Sequence, residues 1–129
     1  MVTQEIHDSL RQASRELKIA EVELSRPYED VVTLSACQSV RSSMKKMMHY
    51  YLQVHDISKD MNDSLDELMG ECIKFNPAFA QVDIEHIECK GLDHEKCDGK
   101  YCLSIDSVNS CRLEANKLQE VVWYELQVN

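Results

Sequence analysis

The stretch TQEIHDSLRQASRELKIAEVELS, residues 3–25, carries the clearest periodic pattern in the sequence. Its apolar residues recur at alternating steps of four and three, which is the spacing of one face of an α-helix. That face predicts a continuous seam of about six helical turns. Arg26-Pro27 ends the pattern, because proline lacks a backbone donor and disfavours helical geometry in the residue before it. The seam consists of Ile6, Leu10, Ala13, Leu17, Ala20 and Leu24.

Three further helices are predicted by the same kind of pattern. A second helix runs from about residue 30 to residue 55, and the short turn before it predicts an antiparallel hairpin with the first. Ser64 and Glu67 have the spacing of a capping box, which predicts a shorter third helix that Asn76-Pro77 ends. The last helix runs from about residue 106 to residue 126. The apolar positions of the three helices are Ala36, Val40, Met44, Met47, Tyr51 and Val54; Leu65, Leu68, Met69, Cys72 and Ile73; and Val108, Cys111, Ala115, Leu118, Val122 and Leu126. Between the third and last helices, Phe79, Val82, Ile84 and Ile87 are expected to cover the end of the bundle.

The amino-acid composition agrees with an all-α fold. The chain has only 3 Gly and 2 Pro, too few for a fold built from many tight turns. We therefore predict one domain over residues 1–129, an all-α up-and-down helical bundle with an irregular Cys-rich loop at about residues 85–103. Fourteen Lys+Arg against 23 Asp+Glu leave a net charge of −9, which opposes binding to nucleic acid and to anionic membranes.

The N-terminal stretch MVTQEIHDSL lacks the basic and apolar regions of a secretory signal peptide. No apolar run in the sequence approaches the length of a membrane span. We therefore expect a cytoplasmic protein. In that compartment the six cysteines are expected to stay reduced or to bind metal, rather than to form a disulfide framework.

Half of the cysteines lie in HIECKGLDHEKCDGKYC, residues 86–102. Cys97 and Cys102 enclose the turn dipeptide Asp98-Gly99, so their thiolates can converge at a spacing found in structural zinc sites. We favour Cys89 and Cys111 as the other two ligands, because an all-thiolate site would also join the loop to the last helix. Four thiolates leave no open coordination position, so the predicted metal, zinc, is structural.

Other interpretations of the cysteines remain open. His86 and His94 are alternative ligands for the second half of a metal site. The cysteines are otherwise reduced thiols, with Cys72 and Cys111 as small core residues on their helical stripes. A disulfide between Cys97 and Cys102 is the third interpretation.

A small positive region interrupts the acidic sequence on the second helix. It contains Arg41, Lys45, Lys46 and His49. Arg41 and His49 are two turns apart, about 12 Å along the helix axis, which is too far for one site within a single chain. The pattern therefore predicts a solvated helix face.

The order of the helices resembles the prokaryotic HEPN domain family. The resemblance covers nearly the whole chain and rests on a long first helix followed by SACQSVRSSMKKMMHYYLQVHDI (residues 35–57), DSLDELMGECIKFNPAF (residues 63–79) and EANKLQEVVWYEL (residues 114–126). It implies an up-and-down bundle of four to five helices and a homodimer. Many members of the family are partners of minimal nucleotidyltransferases in toxin–antitoxin pairs, so the resemblance also implies a protein partner of that type.

One family motif is missing from this chain. The ribonuclease members carry an Arg followed by four to six residues and a His near the last helix. Here no His follows Arg112, and seven residues separate Arg41 from His49. The resemblance therefore implies a non-catalytic interaction domain. The alternative is an enzyme, either a divergent ribonuclease with a site shared across a dimer or a metal-dependent enzyme in the Cys-rich loop.

Overall fold

The computed structural model describes residues 3–57, 64–84 and 104–127. These residues form an all-α bundle, as the sequence predicts. Its four α-helices are α1 (Gln4–Leu24), α2 (Thr33–Val54), α3 (Leu65–Phe75) and α4 (Ile105–Leu126), with short 3₁₀ helices at Tyr28–Asp30 and Pro77–Gln81. Among the described residues, no helix combines the length and the apolar character needed to cross a membrane.

Helix α1 begins and ends close to where its sequence predicts. Thr3 caps its N-terminus, because the Thr3 hydroxyl accepts a hydrogen bond from the Ile6 amide at 3.2 Å. Ser25 follows the last helical residue, and Pro27 then prevents the helix from continuing. The predicted seam is confirmed, since its first five positions are buried and Leu24 packs partly against the core.

Helix α2 lies at the centre of the bundle and packs against α1, α3 and α4. It forms an antiparallel hairpin with α1, in which the Ser43 hydroxyl donates to the Ala13 carbonyl oxygen at 2.6 Å. Contacts with three helices bury residues around much of its circumference. Its buried residues are Ala36, Cys37, Val40, Arg41, Ser43, Met44, Met47, Met48, Tyr51 and Leu52.

Helix α3 has the predicted cap. The Ser64 hydroxyl accepts from the Glu67 amide at 3.2 Å, and the Glu67 carboxylate reaches back to that hydroxyl at 3.4 Å. The predicted apolar set is only partly correct, because Ile73 remains 36% exposed. Ile73 lines a surface groove together with Met69, whereas Leu65, Leu68, Met69 and Cys72 are all buried.

Helix α4 closes the bundle against α1 and α2. The Ser104 hydroxyl caps it by accepting from the Ser107 amide at 3.2 Å. Its predicted stripe is buried at Val108, Cys111, Ala115, Leu118 and Val122. The segment before α4 contributes Phe79, Val82 and Ile84 to the core, as predicted, while Ile87 lies outside the described residues.

Candidate functional site

Three of the four predicted zinc ligands, Cys89, Cys97 and Cys102, lie outside the described residues, as do His86 and His94. Cys111 is described and is buried in α4, with 1% of its surface exposed. The described ranges contain no cluster of three or more metal-ligating side chains. The metal site therefore stays a prediction, and the structure adds only the position of Cys111 in the core stripe.

Cys72 is a core residue of α3. Its thiol donates to the Met48 carbonyl oxygen of α2 at a sulfur–oxygen distance of 4.0 Å. Burial, assisted by the nearby Glu71 carboxylate, raises the pKa of Cys72 to about 12. The thiol therefore stays protonated at neutral pH, which makes Cys72 a poor nucleophile.

The prediction of a solvated face for Arg41 and His49 is wrong. Arg41 is only 6% exposed and lies inside the bundle. His49 is half-buried, and its ring stands edge-on to the Tyr50 ring with 5.1 Å between the ring centroids. The physical reason is the central position of α2, because three neighbouring helices leave little of its surface in water. A long charged side chain on such a helix becomes buried even where its sequence neighbours are polar.

Charged side chains connect neighbouring helices at two places. Lys46 of α2 forms an ion pair with Glu16 of α1. The Arg112 guanidinium of α4 lies 3.7 Å from the Glu21 carboxylate of α1. The side-chain amide of Asn116, oriented to match its partners, donates to the Glu21 carboxylate at 3.2 Å and accepts from the Arg112 guanidinium at 3.0 Å. These ion pairs join α1 to α2 and to α4, so the charges of Lys46 and Arg112 are paired within the bundle.

A group of aromatic rings closes the bundle at the C-terminal end of α2. The centroid of the Tyr51 ring lies 4.6 Å from that of the Phe79 ring and 4.8 Å from that of the His55 ring. His55 in turn stacks at a tilt on Phe75, with 4.2 Å between ring centroids. Tyr51 and Phe79 are almost completely buried, while Phe75 is 47% exposed.

Burial shifts both titratable members of this aromatic group toward their neutral forms. It raises the pKa of Tyr51, against the opposing effect of a hydrogen bond with Asn76. It lowers the pKa of His55, although the carboxylates of Asp56 and Glu125 act in the opposite direction. The group is therefore a mostly apolar closure of the bundle rather than a pair of charged groups prepared for proton transfer.

Exposed apolar side chains are concentrated at the opposite end, around the α1–α2 connection. Four of the eight large apolar side chains that the described residues leave exposed lie there. Ile19 and Val22 are 59% exposed, Tyr28 is 81% exposed and Val32 is 51% exposed. We call these four residues the α1–α2 patch.

The connection is held in place by Glu23. Its carboxylate accepts from the Val32 amide at 2.9 Å and pairs with Arg26 at 3.0 Å. The Val32 hydrogen bond is the main reason that the pKa of Glu23 is lowered. The hydrogen bond places the Val32 amide beside the last turn of α1, which also carries Val22.

The sequence contains a signal for this patch that the seam analysis passes over. Ile19 and Val22 are large apolar residues that lie off the seam of α1, on the side turned away from the core. Their outward position follows from the helical period alone. Tyr28 and Val32 lie in or beside the connection, outside α1, so the period of α1 does not predict their exposure.

No protein-family model, curated protein or solved structure matches this sequence. The role of the α1–α2 patch is therefore inferred from its geometry and charge.

Proposed function

We propose that this chain is a non-catalytic, HEPN-like interaction domain that forms a homodimer through the α1–α2 patch. The observation that carries the proposal is the concentration of Ile19, Val22, Tyr28 and Val32 in solvent at one end of a bundle whose seams are otherwise buried. Several large apolar side chains exposed in one region of a small domain mark an interaction surface, because covering them removes apolar area from water.

Charges around the patch favour a second copy as the occupant. Arg11 and Arg15 are exposed on α1, two turns and one turn before Ile19, and Glu29 and Asp30 are exposed in the connection between Tyr28 and Val32. A two-fold axis near the patch could place Arg11 and Arg15 of one copy over Glu29 and Asp30 of the other. Such self-complementarity offsets the repulsion expected between two chains that each carry a net charge of −9.

The positions of the two arginines considered for catalysis also support a non-catalytic role. Arg41 is buried inside the bundle, and Arg112 pairs with Glu21 on the neighbouring helix. Cleavage of RNA needs a cation at the phosphate and a base near the attacking hydroxyl. We expect the purified protein to leave single-stranded RNA intact. Degradation that disappears in His49→Ala would instead support a divergent ribonuclease.

The homodimer is tested by light scattering after size exclusion, with two matched pairs of variants. The wild-type protein should have close to twice the chain mass of 14.9 kDa. Tyr28→Ala should shift the protein toward monomer, while Tyr124→Ala, at an equally exposed tyrosine (81%) on α4, should not. Val22→Glu should give monomer, whereas Leu113→Glu on the outer face of α4 should remain dimeric. A monomeric wild type at micromolar concentration, or equal effects within each pair, would reject the proposal.

A charge exchange tests the two-fold arrangement separately. Arg15→Glu and Glu29→Arg should each weaken the dimer, because each places like charges against each other across the axis. The double variant should recover much of the lost association, since it restores opposite charges in reversed positions. Additive weakening in the double variant would show that the two sides do not face each other.

The resemblance adds a minimal nucleotidyltransferase as a further protein partner of this dimer. The α1–α2 patch is occupied by the second copy in our proposal, so such a partner would bind elsewhere on the bundle. Binding of a purified nucleotidyltransferase to the wild type and to Val22→Glu separates the two surfaces. Loss of binding in the variant would place both partners on the α1–α2 patch.

A further inference from the structure

Helix α2 begins without the side-chain cap that the other described helices have. The hydroxyl groups of Thr3, Ser64 and Ser104 accept hydrogen bonds from first-turn amides of α1, α3 and α4. The residue before α2 is Val32, whose side chain has no acceptor, and the first turn of α2 contains no acidic residue. Within its own sequence, α2 therefore has no cap for its N-terminal amides.

A carboxylate of α1 supplies part of this cap. The Glu23 carboxylate accepts from the Val32 amide at 2.9 Å, although the two residues are nine positions apart in the chain. In a capping box, the side chain that accepts from the amide of the capping residue belongs to the third residue of the same helix. In α2 that residue is Ser35, which has no carboxylate. Glu23 takes this role from the preceding helix, and its negative charge lies at the N-terminal end of α2, where the helix dipole favours it.

The same carboxylate is held from the side of α1. Nη1 of Arg26 lies 3.0 Å from one oxygen of Glu23 and 3.4 Å from the other. The Arg26 amide also donates to the Glu23 carbonyl oxygen at 3.2 Å. Glu23 thus closes the chain between the last turn of α1 and the first residue of α2 at its base. The segment that it closes carries Tyr28, and Val32 stands at its end.

We propose that Glu23 is a positioning residue of the dimer interface, because its carboxylate holds the connection in the form that presents Tyr28 and Val32 to the second copy. This inference rests on the homodimer proposed above. A loop that is ordered before association loses less conformational entropy on binding, which strengthens the interface. A two-fold interface contains one such connection from each copy, so loss of the carboxylate weakens association twice.

A carboxylate on α4 provides a closely matched control. Glu114 accepts from the Asp83 amide at 2.7 Å and pairs with Lys117, three positions later, at 2.9 Å. Its side chain is 17% exposed, against 19% for Glu23. Both carboxylates therefore bind one distant backbone amide and one cation three positions later. They differ in what they join, because Glu114 connects α4 to Asp83 rather than α1 to α2.

Dissociation constants from analytical ultracentrifugation test the inference. Glu23→Ala should weaken the dimer at least about tenfold, whereas Glu114→Ala should stay within about twofold of the wild type. Glu23→Gln should lie between the wild type and Glu23→Ala, because glutamine keeps an oxygen for the Val32 amide but has no charge for Arg26. Circular dichroism should show the same helicity in all three variants.

Hydrogen exchange of the Val32 amide separates positioning from direct contact with the second copy. It is measured by mass spectrometry at a protein concentration too low for dimers, so that it reports on a single copy. Exchange in the peptide that contains Val32 should be faster in Glu23→Ala and unchanged in Glu114→Ala. Weaker association with unchanged exchange would overturn the positioning role, because Glu23 would then act by touching the second copy.

The outcomes also separate this inference from the homodimer itself. A wild-type dimer that Glu23→Ala leaves equally tight would overturn the inference and leave the homodimer in place. Equal weakening by Glu23→Ala and Glu114→Ala would overturn it as well, since the effect would then follow from a general loss of stability. A monomeric wild type would reject the homodimer and the role of Glu23 together.

Discussion

At one end of the bundle Tyr51 and Phe79 are almost completely buried, whereas at the other end Tyr28 is 81% exposed. Both ends carry aromatic and apolar residues beside the end of a helix. They differ in what packs on them. Helix α3 and the 3₁₀ helix Pro77–Gln81 cover the C-terminal end of α2, while no element in the described part of the chain covers the α1–α2 patch. Similar residue types thus serve as core at one end and as a surface available to a partner at the other.

Substitutions in the seams that connect the two ends should have the largest effect. Leu17 and Val122 are buried in α1 and α4. Leu17→Asp or Val122→Asp places an unpaired charge in the core and should lower the free energy of unfolding by several kcal/mol. That is a large share of the roughly 5–15 kcal/mol typical of a domain. Urea unfolding measures the loss, and wild-type stability in both variants would contradict the assigned core.

Truncation of one aromatic residue at each end compares the two ends directly. Phe79→Ala should destabilise the protein by about 3–5 kcal/mol, because it leaves a cavity under the 3₁₀ helix Pro77–Gln81. Tyr28→Ala should change the stability of the monomer by no more than about 0.5 kcal/mol, since its side chain is mostly in water. Urea unfolding at low protein concentration separates monomer stability from dimer formation. Equal losses would mean that Tyr28 is covered within the monomer.

Metal removal tests the predicted zinc site at Cys89, Cys97, Cys102 and Cys111. Chelation should lower the melting temperature while the bundle stays helical, because the seams of α1 and α2 do not depend on the metal. Elemental analysis of protein grown with zinc and kept reduced should show about one equivalent. Well under roughly half an equivalent would contradict the prediction. A Cys97–Cys102 disulfide in the same sample would favour the redox alternative.

The covered end should also show a small pH dependence. Burial lowers the pKa of His55 below its ordinary value of 6.5, so the folded chain takes up this proton less readily than the unfolded chain. As pH falls below 6.5, the unfolded chain binds the proton first and the fold loses stability, until the pH is below the folded pKa of His55. His55→Gln should remove this part of the decline in urea midpoints. An identical pH profile in wild type and variant would show that burial does not control this histidine.

The helices were predictable to within a few residues, whereas the exposure of particular side chains was not. The pattern predicts helices at about residues 30–55 and 106–126, and the structure has Thr33–Val54 and Ile105–Leu126. The same pattern predicts exposure for Arg41, which is buried, and burial for Ile73, which is 36% exposed. Both errors arise because a helical stripe gives the direction of a side chain but not which neighbouring element lies in that direction.

The sequence by itself determined the helical seams, the cap at Ser64 and the outward position of Ile19 and Val22. These features depend on residues within one or two turns of each other, so the helical period is sufficient to predict them. Only the tertiary structure decided that Lys46 pairs with Glu16 and that α3 faces Val82 and Ile84 across a groove. Such contacts join residues far apart in the chain, and their formation depends on how whole helices pack rather than on any local pattern.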